Sequence, residues 1–103
     1  PFLGVRYILV DEDVKQKYNL SVDYGALVLQ GEKGEPAVAP DSAAKKAGIK
    51  ERDVILELNG EKITQDNSMA KTISKYNPGD KVILKVLRDG QEMDIEVILG
   101  ERS

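Results

Sequence analysis

Two adjacent stretches constrain the fold of this chain more than any other part of it. Residues 40–49 read Pro-Asp-Ser-Ala-Ala-Lys-Lys-Ala-Gly-Ile. They predict a short helix, because Ser42 is a favourable N-cap and Gly48 stands where a left-handed C-cap is needed. Residues 54–58 are mostly apolar and predict a strand, and the Asn59-Gly60 pair after them is a strong signal for a tight turn. We therefore expect a short helix, a strand and a turn to follow one another closely.

The rest of the chain predicts more strands than helices. Phe2 to Val10 is rich in β-branched and aromatic residues and predicts a strand interrupted at Gly4. The other predicted elements are a short helix at 14–18 capped by Asp11, a strand at 25–29, a helix at 66–76 capped by Asp66, and a hairpin at 81–99 that turns at Asp89-Gly90. A length of 103 residues suits one domain with a single core. The expected fold class is α+β, a small, mainly antiparallel sheet or partly open barrel capped by two or three helices.

Composition excludes several classes of function. The chain has no histidine and no cysteine, so it holds neither a Ser-His-Asp or Cys-His nucleophile system nor an imidazole or thiolate metal ligand. Its net charge is −3 and both signs are mixed along the chain, which argues against a nucleic-acid partner. We expect no catalytic residue, metal or cofactor, so this chain alone is not an enzyme. Because it opens abruptly at apolar Pro1-Phe2-Leu3 without a secretory signal pattern, we expect a fragment of a larger protein.

The order of residues over 40–60 resembles the central signature of a PDZ domain: Pro-x-Ser-x-Ala, Ala-Gly-Ile, three residues, then Asp-Val-Ile-x-x-Leu-Asn-Gly. In its detail the chain is most similar to the PDZ domains attached to HtrA (Deg) serine proteases, and the resemblance covers Phe2 to about Leu99. It implies a single PDZ domain over residues 1–103 with the permuted, HtrA-type strand order. It also implies a protease domain that precedes this chain, and a location outside the cytoplasm, in the periplasm or cell envelope.

Phe2-Leu3-Gly4-Val5 resembles the carboxylate-binding loop of those domains, an aromatic-aliphatic-Gly-aliphatic motif. Gly4 permits backbone conformations that a side chain would forbid, so successive amides can converge on one anion. The backbone N–H groups of Leu3, Gly4 and Val5 are the expected donors to the terminal carboxylate of a peptide. The alternative interpretation of these four residues is an apolar strand start with one glycine.

The strand after this loop is expected to accept the peptide as an added antiparallel strand, and the 66–76 helix is expected to form the opposite wall of the groove. The residues that we assign to the groove are Phe2, Arg6, Tyr7, Ile8, Met69, Ala70, Ile73 and Tyr76. Met69 is adaptable in shape and is the expected pocket wall, whereas Ile73 and Tyr76 fit core and groove equally well. Arg6 is expected either to be solvated or to reach an acidic residue of the peptide.

The residue at the start of that helix also predicts a preference. PDZ domains that select Ser or Thr two residues before the peptide end typically have a histidine at the first helical position, where this chain has Met69. We therefore expect apolar side chains, such as Val, Leu, Ile or Phe, at the last peptide position and two before it.

The resemblance implies that the domain recruits exposed C-termini of misfolded or substrate proteins to the attached protease, or regulates that protease. It implies a monomeric isolated domain in a trimeric parent. Two alternatives stay open: a scaffold or secretion-apparatus PDZ module without a protease, and the PDZ domain of an intramembrane or C-terminal processing protease.

Overall fold

The computed structural model describes residues 3–101. Its elements, in chain order, are β1 (Tyr7–Leu9), α1 (Glu12–Lys17), β2 (Ala26–Val28), α2 (Ala43–Ala47), β3 (Val54–Leu58), β4 (Glu61–Lys62), α3 (Met69–Ile73), β5 (Lys81–Arg88) and β6 (Gln91–Ile98). Within this part of the chain no helix is long and apolar enough to cross a bilayer. Strands hold most of the regular structure, as the sequence predicts.

The strands join one antiparallel sheet. Their order is β1-β2-β3-β5-β6, and β4 pairs with β3 beside this path. β1 and β6 therefore stand at the two ends of the sheet, which is open between them over the described residues. The predicted fold class, a small, mainly antiparallel sheet with a few short helices, is confirmed.

The predicted caps of α1 and α2 are confirmed. Asp11 accepts a hydrogen bond of 2.8 Å from the N–H of Val14 at the start of α1. Ser42 Oγ accepts one of 3.1 Å from the N–H of Lys45 in α2, and Gly48 ends that helix in the left-handed conformation, with φ of 91°. Residues 40–49 fold as predicted because the signals that begin and end this helix are local.

The prediction of a helix at 66–76 capped by Asp66 is wrong. α3 covers only Met69–Ile73, and its N-cap is Ser68, whose Oγ accepts a backbone N–H of the first turn at 3.2 Å. The residues before Ser68 form a tight turn, in which the backbones of Thr64 and Asn67 exchange hydrogen bonds of 3.1 Å. Because this turn closes across Asp66, helical conformation can begin only after it.

β1 is shorter than the strand predicted at 2–10. Gly4 has φ of 92°, a left-handed conformation that interrupts the strand. Between Gly4 and Tyr7 the chain forms only a single bridge, from Val5 to Val38. Phe2 lies outside the described residues. Gly4 therefore separates a loop from the strand that follows it.

The sheet contributes to two apolar clusters. The larger one, the main core, combines buried residues of the sheet with Ala44 of α2 and with Met69 and Ile73 of α3. The smaller one, the second core, consists of Val10, Leu27, Val54, Leu56 and Leu87, and partly buried residues between Val14 and Leu29 pack against it. A Cβ at Gly25 would lie 2.8 Å from Cγ1 of Val54, so the close contact of β2 and β3 requires glycine there.

A partly buried ion pair connects β5 to the turn before β3, and a further hydrogen bond connects it to the end of α2. Arg88 donates from Nε to Oδ1 of Asp53 at 2.8 Å and from Nη2 to Oδ2 at 2.6 Å, and Nη2 also donates to the Gly48 carbonyl at 3.0 Å. The hydrogen bond to Asp53 raises the pKa of Arg88 above its ordinary value. Asp53 also accepts the N–H of Lys50 at 2.9 Å and so caps the turn before β3.

Candidate functional site

Leu3 and Gly4 turn their carbonyl groups into the domain. The Leu3 carbonyl accepts a hydrogen bond of 2.9 Å from the N–H of Ala44 in α2, and the Gly4 carbonyl accepts one of 2.8 Å from the N–H of Ala39. In a trans peptide unit the N–H points opposite to the C=O, and the described part of the chain has no cis peptide bond. The amides of Gly4 and Val5, which belong to these two units, therefore point away from the domain.

These two amides lie side by side without acceptors in the part of the chain that the structure describes. Neither donates a hydrogen bond to an acceptor within residues 3–101. The positive φ of Gly4 turns successive N–H groups towards one point, as in the backbone nests that bind anions. The third predicted donor, the N–H of Leu3, shares its peptide unit with Phe2, which is outside the described residues. Within the described residues, the loop thus has two outward amides, those of Gly4 and Val5, without an acceptor.

The start of α2 holds this loop in place. Ser42 donates from Oγ to the Ala39 carbonyl at 2.7 Å, while the N–H of Ala39 binds the Gly4 carbonyl. Asp41, just before the cap, has φ of 59° and turns the chain into the helix. The helix predicted from residues 40–49 therefore fixes the direction of amides that lie far earlier in the sequence.

β1 presents a free edge directly after the loop. The N–H of Arg6 donates to Ala37 at 2.8 Å and its C=O accepts from Leu29 at 3.0 Å, so the backbone of Arg6 faces β2 and the segment beside it. Because backbone groups alternate between the two edges of a strand, those of Val5 and Tyr7 face the other edge. No strand among residues 3–101 pairs with that edge. An extended peptide can add there as a further strand.

The side chains of β1 alternate as well. Val5, Tyr7 and Leu9 pack against the main core, whereas Arg6 and Ile8 are exposed. Alternation along a strand places the two sets on opposite faces of the sheet. Arg6 and Ile8 therefore do not line the space between β1 and α3.

The charge of Arg6 acts weakly on one acidic group of the domain, Glu35. Glu35 Oε1 accepts the N–H of Lys33 at 2.8 Å. Hydrogen bonds from the backbone amides of Glu35 and Lys33 lower the pKa of the Glu35 carboxyl, and the charge of Arg6 lowers it slightly further. Arg6 is thus an exposed side chain.

α3 lies across from the free edge of β1. Met69 and Ile73 belong to the main core, with 1% and 8% of their surface exposed, and Tyr76 packs against that core while Ala70 is exposed. The hydroxyl of Tyr7 accepts a hydrogen bond of 3.2 Å from the N–H of Ala70, which joins β1 to the start of α3. Met69 and Ile73 therefore lie at the base of the space between the two elements.

Six of the predicted site residues belong to the main core or pack against it. Those within or packed against the main core are Leu3, Val5, Tyr7, Met69, Ile73 and Tyr76. Nothing in the sequence identifies Ala39 and Ala44, whose amides orient the loop; the cap signal at Ser42 predicts α2 but not what α2 holds. Within residues 3–101 there is no cluster of His, Cys, Asp and Glu side chains that could bind a metal ion.

Comparison with known proteins gives a consistent family. A family profile described as PDZ domain matches residues 1–99. A probable periplasmic serine endoprotease, DegP-like, of Hahella chejuensis is 37% identical to this chain over 100 residues, which are 97% of this chain and 20% of that protein. The chain spans about a fifth of the length of the curated relatives it matches.

Two solved structures share the fold. The HtrA-type protease AlgW with decapeptide superposes with a TM-score of 0.80 at 24% identity, over 99% of this chain and 29% of that one. The HtrA3 PDZ domain bound to a phage-derived ligand, FGRWV, superposes with a TM-score of 0.74 at 21% identity, over 94% of this chain and 82% of that one. At these identities the likeness establishes the fold alone.

Proposed function

Because the chain belongs to the PDZ domain family, we propose that it binds the free C-terminal end of a polypeptide as an added strand of its sheet. The terminal carboxylate accepts hydrogen bonds from the amides of Leu3, Gly4 and Val5, and the preceding peptide residues pair with the free edge of β1. One observation supports this most. The carbonyls of Leu3 and Gly4 are bonded inward, so the amides of Gly4 and Val5 face outward without an acceptor in residues 3–101.

The expected affinity is moderate. Each charge-assisted hydrogen bond to the carboxylate contributes about 1.5–3 kcal/mol. Backbone bonds along β1 add to this, while ordering the peptide and losing its free motion cost several kcal/mol. For so small an interface we expect a Kd on the order of micromolar, which is about −8 kcal/mol.

The side chains around the loop favour an apolar peptide end. Leu3 and Val5 flank the outward amides and belong to the same apolar region as Met69 and Ile73. The chain offers no histidine to hydrogen-bond a Ser or Thr two residues before the end. The preferred peptide therefore ends in Val, Leu, Ile or Phe and has a second apolar side chain two residues earlier. The ligand of the HtrA3 PDZ domain also ends in valine, which supports the first part of this preference.

We further propose that the domain recruits exposed C-termini of misfolded or substrate proteins to an attached HtrA-like serine protease, or regulates it. The curated relatives are named periplasmic serine endoproteases. These names support the proposal of an attached protease domain and of a location outside the cytoplasm. In this proposal the isolated domain is monomeric, and the protease domain forms the trimer of the full-length protein. A Gly-Asn-Ser-Gly-Gly segment encoded upstream of residue 1 is the expected finding; membrane spans in its place would favour an intramembrane protease.

A titration with a matched pair of peptides tests the binding mode. The chain has no tryptophan, so the fluorescence of a tryptophan in the peptide Ser-Gly-Leu-Trp-Val reports binding without interference. We expect the free acid to bind with micromolar Kd. The same peptide with an amidated end should bind at least about tenfold more weakly, because the amide loses charge-assisted hydrogen bonds. Equal affinity of the two peptides would overturn the proposal.

A further inference from the structure

The hydroxyl of Tyr7 joins the free edge of β1 to α3. It accepts a hydrogen bond of 3.2 Å from the N–H of Ala70, the second residue of that helix. The first amides of a helix have no acceptor within the helix, so nothing in α3 competes for this N–H. The Tyr7 side chain also packs against the main core. This hydrogen bond, the Tyr7 strap, therefore spans the space between β1 and α3 in the free domain.

Tyr7 lies where the peptide side chain two residues before the C-terminal end must enter the groove. With the carboxylate at Gly4 and Val5, the last peptide residue pairs with Val5 in an antiparallel ladder, and the residue two before it pairs with Tyr7. Directly opposed residues place their side chains on the same face of a sheet, with Cβ atoms about 4.5–5.5 Å apart. The side chains of Val5 and Tyr7 point to the face on which α3 lies. The peptide side chain and the Tyr7 ring thus compete for the same space.

On the basis of the proposed function, we infer that Tyr7 determines specificity two residues before the peptide end. A bulky side chain at that position enters only when the Tyr7 strap opens, whereas glycine leaves the strap closed. Bulky apolar side chains still gain contacts with the main core. The strap therefore lowers their gain in affinity over glycine and does not exclude them. Breaking one ordinary hydrogen bond corresponds to roughly a 2- to 10-fold loss in an equilibrium constant.

A substitution that removes only the hydroxyl measures this penalty. The probes are two free-acid peptides, Ser-Gly-Leu-Trp-Val and Ser-Gly-Gly-Trp-Val, titrated against the chain and its Tyr7→Phe variant. We expect Tyr7→Phe to bind the leucine peptide about 2- to 10-fold more tightly, because no strap has to open. The affinity for the glycine peptide should not change. The Tyr18→Phe variant is the matched control, since Tyr18 lies against the second core, away from the groove.

The strap has a second readout that needs no peptide. Hydrogen exchange of the Ala70 amide, measured by NMR, should be slower in the original chain than in Tyr7→Phe, and addition of the leucine peptide should accelerate it. Equal exchange rates of the Ala70 amide in the two free proteins would refute the hydrogen bond between this amide and the Tyr7 hydroxyl.

Two outcomes of the titration would overturn the specificity role. One is weaker or unchanged binding of the leucine peptide by Tyr7→Phe, and the other is an equal gain for both peptides. Either result leaves the proposed function intact as long as the free acid binds more tightly than its amidated form. Loss of that difference would instead refute the proposed function.

Discussion

Replacing Asp53 with asparagine is expected to destabilise the domain strongly without changing peptide affinity. The Asp53 carboxylate accepts two hydrogen bonds from Arg88 and one from the N–H of Lys50, and its side chain is only 2% exposed. Asparagine keeps the shape but turns an N–H donor towards a guanidinium that also only donates. Removing one partner of a fully buried pair costs about 3–5 kcal/mol. Because the Arg88 side chain is 24% exposed and solvent screens part of its charge, we expect about 2–4 kcal/mol here.

Urea unfolding followed by circular dichroism measures this change. The midpoint should fall at an unchanged slope, and the corresponding drop in Tm is about 10–30 °C for a domain of this size. The control is Glu96→Gln, which breaks an exposed pair with Lys81 at 3.4 Å and should cost below about 1 kcal/mol. If Asp53→Asn destabilised the domain no more than Glu96→Gln, the ion pair would not stabilise the contact between β5 and the turn before β3 as its geometry indicates.

Three further perturbations test the loop and its supports. Gly4→Val places a β-branched residue at a φ of 92°, which turns the loop amides away from the peptide. The free-acid peptide should therefore bind at least about tenfold more weakly, while the affinity for the amidated peptide changes little. An equal loss of affinity for both peptides would contradict the role of the amides. Ser42→Ala removes the cap of α2 and the hydrogen bond to the Ala39 carbonyl, so the free energy of unfolding should fall by about 1 kcal/mol. The amide signals of Gly4 and Val5 should also move in NMR spectra. Unmoved signals would refute the link between α2 and the loop. Backbone hydrogen bonds lower the pKa of the Glu35 carboxyl below its ordinary value of 4.5. The ionised carboxylate therefore stabilises the 31–35 turn fully above pH 4.5, and this stabilisation is lost as the pH falls through the lowered pKa. The Lys33 amide shift should titrate at the lowered value and not at all in Glu35→Gln, and a midpoint at 4.5 or higher would contradict this.

Elements whose signals are local could be predicted from the sequence. Ser42 and Gly48 bound α2, and the Asn59-Gly60 turn has positive φ at both residues, 50° and 83°, as a tight hairpin turn requires. Gly4 predicts an interruption of the first strand, and its φ is positive. In each case the conformation depends on the residue itself and on neighbours within one turn of the chain.

Features that depend on distant contacts could not be predicted. Asp66 and Ser68 are both good caps, and the choice between them depends on how the turn before α3 closes. The direction of the loop amides depends on Ala39 and Ala44, which no local signal connects to Gly4. The Tyr7 strap likewise requires β1 and α3 to be brought together by the sheet and the main core.

The most direct test of the central claim is an NMR titration of the 15N-labelled chain with the free-acid and amidated forms of Ser-Gly-Leu-Trp-Val. The free acid should cause the largest downfield shifts at the amide protons of Gly4 and Val5, because these two donate to the carboxylate. The amidated peptide should leave both signals nearly unchanged at the same concentration. Shifts confined to other parts of the domain, or equal shifts from both peptides, would contradict a binding site formed by the outward amides of this loop.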